Sequence, residues 1–257
     1  MKNVFRSIVM SFSMFSKLPM PRVEWRQENM RYALAALPLI GAVIGLLIWG
    51  WQALCGCLGS GDILYAAGAT LIPLAVTGGI HLDGFCDTVD ALSSHADAEK
   101  KRAILKDPNA GAFAVIWCGA YLLLYFALAT EAREIQDVLM LGLIHLISRA
   151  VTGFCSLTFP ASGSQGLFAT FNGSADKIVS AIITAVIFAG AGFSAVFFAG
   201  IPGGASAFST VLCALAVYFI AKRQFNGMSG DISGFLLQIS ELFMLLTYII
   251  VKRVMFL

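Results

Sequence analysis

Long apolar stretches dominate the sequence and limit the folds that are open to it. A helix needs about 20 mostly apolar residues to cross a bilayer. The chain holds about seven such stretches, at 33–58, 62–80, 111–130, 136–157, 178–200, 205–221 and 233–251. Only 12% of the 257 residues are charged and 58% are hydrophobic. Since lipid admits only helices and closed barrels, and these stretches are long and do not alternate, the sequence predicts an all-α, polytopic helical bundle in a membrane.

The N-terminal segment 1–32 precedes the first predicted span. Its apolar residues recur at helical spacing from Val4 to Phe15, but this run is too short to cross a bilayer and Pro19 follows it. We therefore predict a cytoplasmic interfacial helix at the membrane surface. No domain boundary is visible, so we predict one transmembrane catalytic domain over 1–257.

Lys and Arg residues indicate the orientation of the bundle. They cluster in 1–32, in 81–110 and at the start of 222–232, whereas 58–62 has none. Because cytoplasmic loops carry the excess of Lys and Arg, we expect these three segments and 157–177 to face the cytoplasm. The sequence thus predicts a multi-pass protein of the bacterial cytoplasmic membrane, with 81–110 as its main catalytic loop.

Two further charge features bear on partners and on the last helices. The net charge of +2 is too small to indicate nucleic acid as a partner. Seven spans would place Lys252 and Arg253 outside, against the rule that orients the other loops. The sequence leaves open that the last one or two helices are miscounted or re-entrant.

The stretch GGIHLDGFCDTVDALSSHAD, residues 78–97, is unusually acidic for so apolar a chain. On a helix over 83–97, five polar residues would share one face: Asp83, Asp87, Asp90, Ser94 and Asp97. Carboxylates at this spacing repel one another, most strongly at the lipid edge. Carboxylate oxygens suit Mg²⁺, which leaves positions for substrate phosphate. We interpret the stretch as a metal site, and the alternative is a solvated acidic helix face.

The segment LKDPNAGAF, residues 105–113, stands where the third span begins. Lys106 and Asp107 precede a turn that contains Asn109 and Gly111. Free backbone amides at such a helix start favour an anion. Plain helix capping is the alternative.

The segment KRQFNGMSGDISG, residues 222–234, joins two cations to a glycine-rich turn. Lys222 and Arg223 begin it, and Gly230 and Asp231 lie near its end. Such a backbone can approach a phosphate closely, and Asp231 adds one more candidate metal ligand. The alternative is a basic anchor followed by a turn.

Charged residues also lie inside predicted spans. An unpaired Arg149 would be costly in lipid, so we predict that it bonds a carboxylate or a phosphate, with Glu241 as a candidate partner. Of the histidines, His145 is predicted to be a hydrogen-bonded packing residue and His95 a solvated loop residue. His81 either orients Asp83 or packs at the interface.

A carboxylate cluster and phosphate-binding loops on one side of a membrane bundle favour one class of reaction. That class is phosphoryl or phospho-group transfer at the membrane surface, in which a metal neutralises charge as the bond breaks.

The same motifs resemble those of a known family. The chain is similar to the cobalamin synthase family, adenosylcobinamide-GDP ribazoletransferase, and the resemblance follows nearly the whole sequence in order. The motifs that carry it are FSKLPMP, GGIHLDGFCDTVDAL, LKDPNAGAF, the Ser148-Arg149 pair, and KRQFNGMSGDISG followed by Glu241.

The resemblance implies the last step of nucleotide-loop assembly in cobalamin biosynthesis. The enzyme joins adenosylcobinamide-GDP to α-ribazole or its 5′-phosphate, releases GMP and requires Mg²⁺. It implies one or two Mg²⁺ held by Asp83, Asp87 and Asp90, with Asp231 as a further ligand. The residues that would hold phosphate charge are Lys106, Arg149, Lys222 and Arg223. His81 or one aspartate would be the base, although a metal-held alcohol needs no dedicated base.

Other partners and functions stay open at this point. The lipid bilayer surrounds the chain, and a homo-oligomer or a complex with other cobalamin-assembly enzymes is compatible with the sequence. One alternative function is that of a CDP-alcohol phosphotransferase-like lipid enzyme, but its Asp-Gly-x-x-Ala-Arg pattern is absent after Asp83. The other is a cation or solute transporter, which would distribute charges toward both faces.

Overall fold

The computed structural model describes residues 2–163 and 166–255, and these form helices joined by short loops. The helices are α1 Lys2–Phe15, α2 Gln27–Met30, α3 Ala33–Cys57, α4 Asp62–Thr77, α5 Ile80–Ser93, α6 Ala98–Ile104, α7 Ala112–Thr130, α8 Ile135–Thr158, α9 Leu167–Ser174, α10 Lys177–Gln224 and α11 Gly230–Met255. One isolated β-bridge joins Ala161 to Met228. The prediction of an all-α membrane bundle is confirmed.

Five helices are long and apolar enough to cross a membrane: α3, α7, α8, α10 and α11. The pair α4 and α5 passes the same test together but bends by 94° between them, which makes it a broken span or a re-entrant loop. Gly78 and Gly79 form this bend with φ angles of 65° and 79°, a left-handed conformation that glycine adopts without strain. The candidate spans therefore number five or six within the described residues, and the count of seven is not confirmed.

Helix α10 contains two of the predicted spans in one 48-residue element. Its backbone leaves helical geometry at Gly200, with φ 59° and ψ −136°, and Pro202 then lies in the first turn of the second arm, where proline is tolerated. Gly203 lies so close to the Ala195 carbonyl that a Cβ would collide with it. The two arms thus fold back on each other. The predicted spans 178–200 and 205–221 therefore meet at Gly200 alone, with a shorter connection than their bounds indicated.

Helices α3 and α8 form the tightest packed pair of the bundle core. Gly41 lies against the backbone of His145, and Gly45 faces Gly142. Small residues at these positions let two backbones approach without a hydrophobic driving force from lipid. A buried core with Ile40, Ile44 and Leu141 surrounds this contact.

The last helix ends among acidic residues, which explains the charges at its C-terminal end. Lys252 Nζ lies 2.6 Å from the buried Asp137 carboxylate and 3.4 Å from Glu134, while Arg253 pairs with Glu131. These cations neutralise acids at the end of α7 and the start of α8. Their charge therefore belongs to an ion-pair cluster at this end of the bundle.

The N-terminal segment docks on the opposite end. Helix α1 ends before Pro19 as predicted and packs against α3, with Met10 and Phe12 buried. Arg31 then pairs with Asp176, the N-terminal capping residue of α10, at 2.6 Å. Hydrogen bonding to the Arg31 guanidinium holds the pKa of Asp176 below its ordinary value.

Candidate functional site

Helix α5 presents the three predicted carboxylates from one continuous helix. Asp83, Asp87 and Asp90 lie within Ile80–Ser93 at the expected spacing. The helix ends at Ser93, however, and Asp97 accepts a hydrogen bond from the Lys100 amide as the cap of α6. The prediction that the acidic stripe continues to Asp97 is wrong, because this carboxylate starts the next helix instead.

A fourth carboxylate reaches this face through close packing of α5 on α11. A Cβ on Gly84 would lie 2.8 Å from the Asp231 carbonyl oxygen, and one on Gly234 would lie 2.9 Å from that of His81. With no side chains between them, the two backbones nearly touch. Asp87 consequently lies in the electrostatic field of Asp83, Asp231 and Asp90.

These carboxylates have no cationic partner among the described residues. Asp90 differs from the other three, because its carboxylate lies against Gly111 and 3.4 Å from the Ala114 amide at the start of α7. Such a position favours the negative charge of Asp90 through the N-terminal end of the helix. Asp83, Asp87 and Asp231, like Asp90, have no partner of opposite charge among the described residues.

The donor set fits Mg²⁺ in chemistry. Within residues 2–163 and 166–255, no three His, Cys, Asp or Glu side chains are grouped as a ready-made metal cage. Mg²⁺ commonly binds through one or two carboxylates together with substrate phosphate oxygens, so such a cage is not required. The cluster is therefore compatible with a metal that arrives with its substrate.

A cavity of about 790 Å³ opens beside the carboxylates. Helices α1, α3, α5, α6, α8, α9 and α11 all contribute to its wall. Five of the predicted site residues line it: His81, Asp83, Lys106, Gly230 and Asp231. Its volume is in the range of small-molecule sites, so the sequence motifs at 78–97, 105–113 and 222–234 converge on one binding space.

The structure adds cavity residues that sequence reasoning missed. Arg102 lines the cavity together with Lys106, four residues later in the turn after α6, and the described residues offer Arg102 no carboxylate at ion-pair distance. Its Nε donates to the Ala98 carbonyl. The sequence signal for this pair is the spacing of Arg102 and Lys106, four residues apart in KKRAILK. That spacing indicates a binding role only once α6 is known to lie next to the acidic stretch.

His81 belongs to the cavity wall. It is buried, and its ring stacks on Phe15 with centroids 6.2 Å apart. The other two histidines match their predictions. His95 is exposed in the loop after α5, and the buried His145 bonds the Tyr125 hydroxyl and Glu241.

The loop before α7 forms a compact turn. Asp107 accepts hydrogen bonds from the backbone and side-chain amides of Asn109 at 2.9 and 2.8 Å, which lower the pKa of Asp107. Both residues are exposed, whereas Gly111 lies against Asp90. The turn thus positions Lys106 on one side and the Asp90 contact on the other, while an anion at this turn stays a prediction.

Arg149 lies in the bundle core. Its guanidinium is fully buried and pairs with Glu241, as predicted, and it also donates to the His145 carbonyl and the Ser148 hydroxyl. Arg149 is absent from the cavity wall described above. A direct phosphate contact for Arg149 stays a prediction.

Lys222 and Arg223 lie at the exposed end of α10. Each cation is 5.9 Å from an aromatic ring, Lys222 over Tyr218 and Arg223 over Phe219. Neither residue lines the cavity of about 790 Å³ beside Asp83. Their predicted role in holding phosphate charge is untested by this arrangement.

Comparison with known proteins identifies relatives along the whole bundle. Residues 7–249 match the family CobS, cobalamin-5-phosphate synthase. A protein of Lachnoclostridium phytofermentans named adenosylcobinamide-GDP ribazoletransferase is 37% identical over 96% of this chain and 95% of its own length. A protein of the same name from Clostridium botulinum (strain Alaska E43 / Type E3) is 30% identical over 94% of this chain and 96% of its own length. Another from Pseudomonas fluorescens is 30% identical over 88% of this chain and 92% of its own length. The chain belongs to the cobalamin-5-phosphate synthase family.

This membership confirms the resemblance seen in the motifs. It also confirms the predicted class of enzyme, a transferase of the final assembly step in cobalamin biosynthesis. The chain has no match among solved structures.

Proposed function

We propose that this chain joins adenosylcobinamide-GDP to α-ribazole, or to its 5′-phosphate, with release of GMP, at the cavity beside Asp83. One observation carries the proposal: carboxylates from α5 and α11, Arg102 of α6 and Lys106 from the turn after α6 line the same cavity. Opposed charges of this kind suit a metal-neutralised pyrophosphate. The cation or solute transporter and the CDP-alcohol phosphotransferase lack this support, since the relatives named above are all ribazoletransferases.

Asp83 and Asp231 would hold Mg²⁺, with Asp87 next to them. Asp83 and Asp231 line the cavity, and Asp87 is near enough to both to add its negative charge to the site. A divalent cation bound there neutralises charge that develops on phosphoryl oxygens as the bond breaks.

The reaction exchanges one phosphorus–oxygen bond for another. A ribazole hydroxyl oxygen forms a bond to the phosphorus nearest the cobinamide, and the bond from that phosphorus to the oxygen of GMP breaks. GMP leaves with the bonding electron pair. His81 or one of the aspartates accepts the hydroxyl proton.

Arg102 and Lys106 would bind the pyrophosphate from the other wall of the cavity. Both residues line it, Arg102 near the end of α6 and Lys106 in the turn that follows. The neighbouring Lys101 is buried, and its Nζ donates to the Gln224 side chain at 2.5 Å. This bond attaches α6, which carries Arg102, to the end of α10.

The active site would face the cytoplasm. Three segments meet at the cavity: 81–110, 157–177 and 222–232. The first and last are rich in Lys and Arg, and all three are predicted to face the cytoplasm. A bulky corrinoid exceeds the cavity, and the apolar surface around it offers a docking area at the membrane.

GMP release tests the proposal. Detergent-purified protein with adenosylcobinamide-GDP and α-ribazole should release GMP only with Mg²⁺. Asp83→Asn should lower the rate about 10²- to 10³-fold, the loss typical when one preorganised electrostatic group is removed.

Asp62→Asn is the matched control, because Asp62 pairs with Arg133 at the opposite end of the bundle. Its rate should equal that of the wild type. Folded wild-type protein that releases no GMP under any divalent metal would contradict the proposed function.

A further inference from the structure

The cavity of about 790 Å³ beside Asp83 is called the main cavity below. Two buried polar atoms in its wall have no hydrogen-bond partner among the described residues. They are the Nε2 atom of His81 and the hydroxyl of Thr152. His81 is 6% exposed and Thr152 is 3% exposed, so water reaches neither freely. Buried polar groups in native proteins are nearly always satisfied. These two atoms therefore indicate a ligand that bonds them.

The part of the wall next to His81 is aromatic. The Phe15 ring stacks on His81 with an interplanar angle of 17°, and Phe171 lies 6.0 Å from Phe15. Phe168 and Leu37 also line the cavity. Flat aromatic surfaces of this kind bind planar rings by offset or tilted stacking, so the chemistry favours a largely apolar heterocycle with few polar atoms.

Two heterocycles take part in the proposed reaction, and the cavity suits one of them. Guanine presents donors and acceptors along two edges, and leaving these unpaired against the aromatic part of the wall around His81 is costly. The dimethylbenzimidazole of ribazole carries one free ring nitrogen and two methyl groups. A ring with one polar atom matches a wall with one unpartnered histidine nitrogen.

A second cavity offers the nucleotide a more polar place. It has a volume of about 560 Å³ and shares Asp83 with the first. Ser13, Ser16, Lys17 and Thr77 contribute to its wall. Asp83 thus stands between an aromatic space and a polar one, an arrangement that lets an attacking and a leaving group approach one phosphorus from opposite sides.

We propose, resting on the function proposed above, that the main cavity is the ribazole site. His81 Nε2 donates to the free nitrogen of the benzimidazole, Thr152 bonds a ribose hydroxyl, and the ring lies against Phe168. His81 then binds the substrate base, and the proton of the attacking hydroxyl goes to an aspartate.

Binding of α-ribazole to the purified full-length chain tests this without the reaction. Calorimetry is run in detergent with neither Mg²⁺ nor adenosylcobinamide-GDP. His81→Phe keeps a ring but loses the donor, and Phe168→Leu reduces the stacking surface. Each should raise the Kd for α-ribazole about tenfold. His81→Gln restores a donor at a similar place and should stay within about threefold of the wild type.

Phe159→Leu is the matched control. Phe159 packs on Tyr218 at 4.9 Å between ring centroids and is not part of the cavity wall. Its Kd for α-ribazole should be that of the wild type. GMP, used as a second probe, should bind all of these variants equally.

Kinetics separate a binding role from a proton-transfer role. His81→Phe should raise the KM for α-ribazole about tenfold, as it raises the Kd, with a much smaller effect on kcat, and His81→Gln should bring the KM back toward that of the wild type. A collapse of kcat at constant KM would make His81 the base and overturn the proposal.

Two binding results would also overturn it: an unchanged Kd for α-ribazole in both His81→Phe and Phe168→Leu, or weaker binding of GMP instead. Phe168→Leu serves as the deciding variant if His81→Phe does not fold. Wild-type protein that releases no GMP contradicts the proposed function itself, which is a separate result from these.

Discussion

At the residue scale, Arg149 shows how a full charge is kept inside an apolar bundle. Its guanidinium joins α8 to α11 through Glu241, and His145 and Ser148 bond the same carboxylate. A buried charge with its partner removed is strongly unfavourable, whereas the complete pair is far less so. This cluster holds the two helices that carry Thr152 and Asp231 in register.

Removing one member of this pair should destabilise the protein. For Arg149→Met we expect a loss of about 3–5 kcal/mol in the free energy of unfolding, because Glu241 is left buried without its main cation. Thermal unfolding in detergent measures the change. The double variant Arg149→Met with Glu241→Leu should recover part of the loss, and a double variant less stable than Arg149→Met alone would refute this account.

At the element scale, the contact of α5 with α11 assembles the carboxylates. Gly84 and Gly234 allow the backbones to approach within the width of a side chain. Sequence reasoning assigned Gly230 and its neighbours to a phosphate loop, and this role stays a prediction. The structure adds that Gly234 is a packing residue of the helix pair.

A methyl group in this contact should separate the two helices. Gly234→Ala should cost about 1–3 kcal/mol of stability through overpacking and lower GMP release, since Asp231 moves away from Asp83. Gly119→Ala is the control, because nothing lies within 4 Å of a Cβ at that position of α7. Equal activity of the two variants would show that the close contact is not needed.

At the scale of the whole molecule, the two ends of the bundle differ in chemistry. One end carries the cavity, which Asp83, Asp231, Arg102 and Lys106 line together. The other end carries closed ion pairs, such as Arg133 with Asp62 and Lys252 with Asp137. The charges available to a substrate are therefore concentrated at the cavity end.

The proposed orientation predicts which end reagents reach from outside the cell. In a Cys57→Ser background, a membrane-impermeant maleimide should label Glu131→Cys in intact cells and Lys100→Cys only in inverted membrane vesicles. Both positions are exposed and lie at opposite ends of the bundle. Labelling of Lys100→Cys in intact cells would reverse the orientation.

Much of the fold follows from local patterns. Apolar length places α3, α7, α8 and α11 within a few residues of their predicted bounds, and Pro19 marks the end of the N-terminal helix segment. Local patterns fail where the end of a helix depends on contacts with residues outside that helix. Asp97 caps α6 instead of extending α5, and the turn in α10 is Gly200 alone.

By itself, the sequence determined the membrane class, the helical elements, the spacing of Asp83, Asp87 and Asp90, and the family, because each is written in neighbouring residues. Tertiary structure alone decided that Asp231 lies beside Gly84, that Arg102 faces the cavity, and that His81 and Thr152 share its wall. These facts depend on which helix faces pack together. Helices distant along the chain meet through small residues and buried ion pairs, and hydropathy and periodicity carry no record of such contacts.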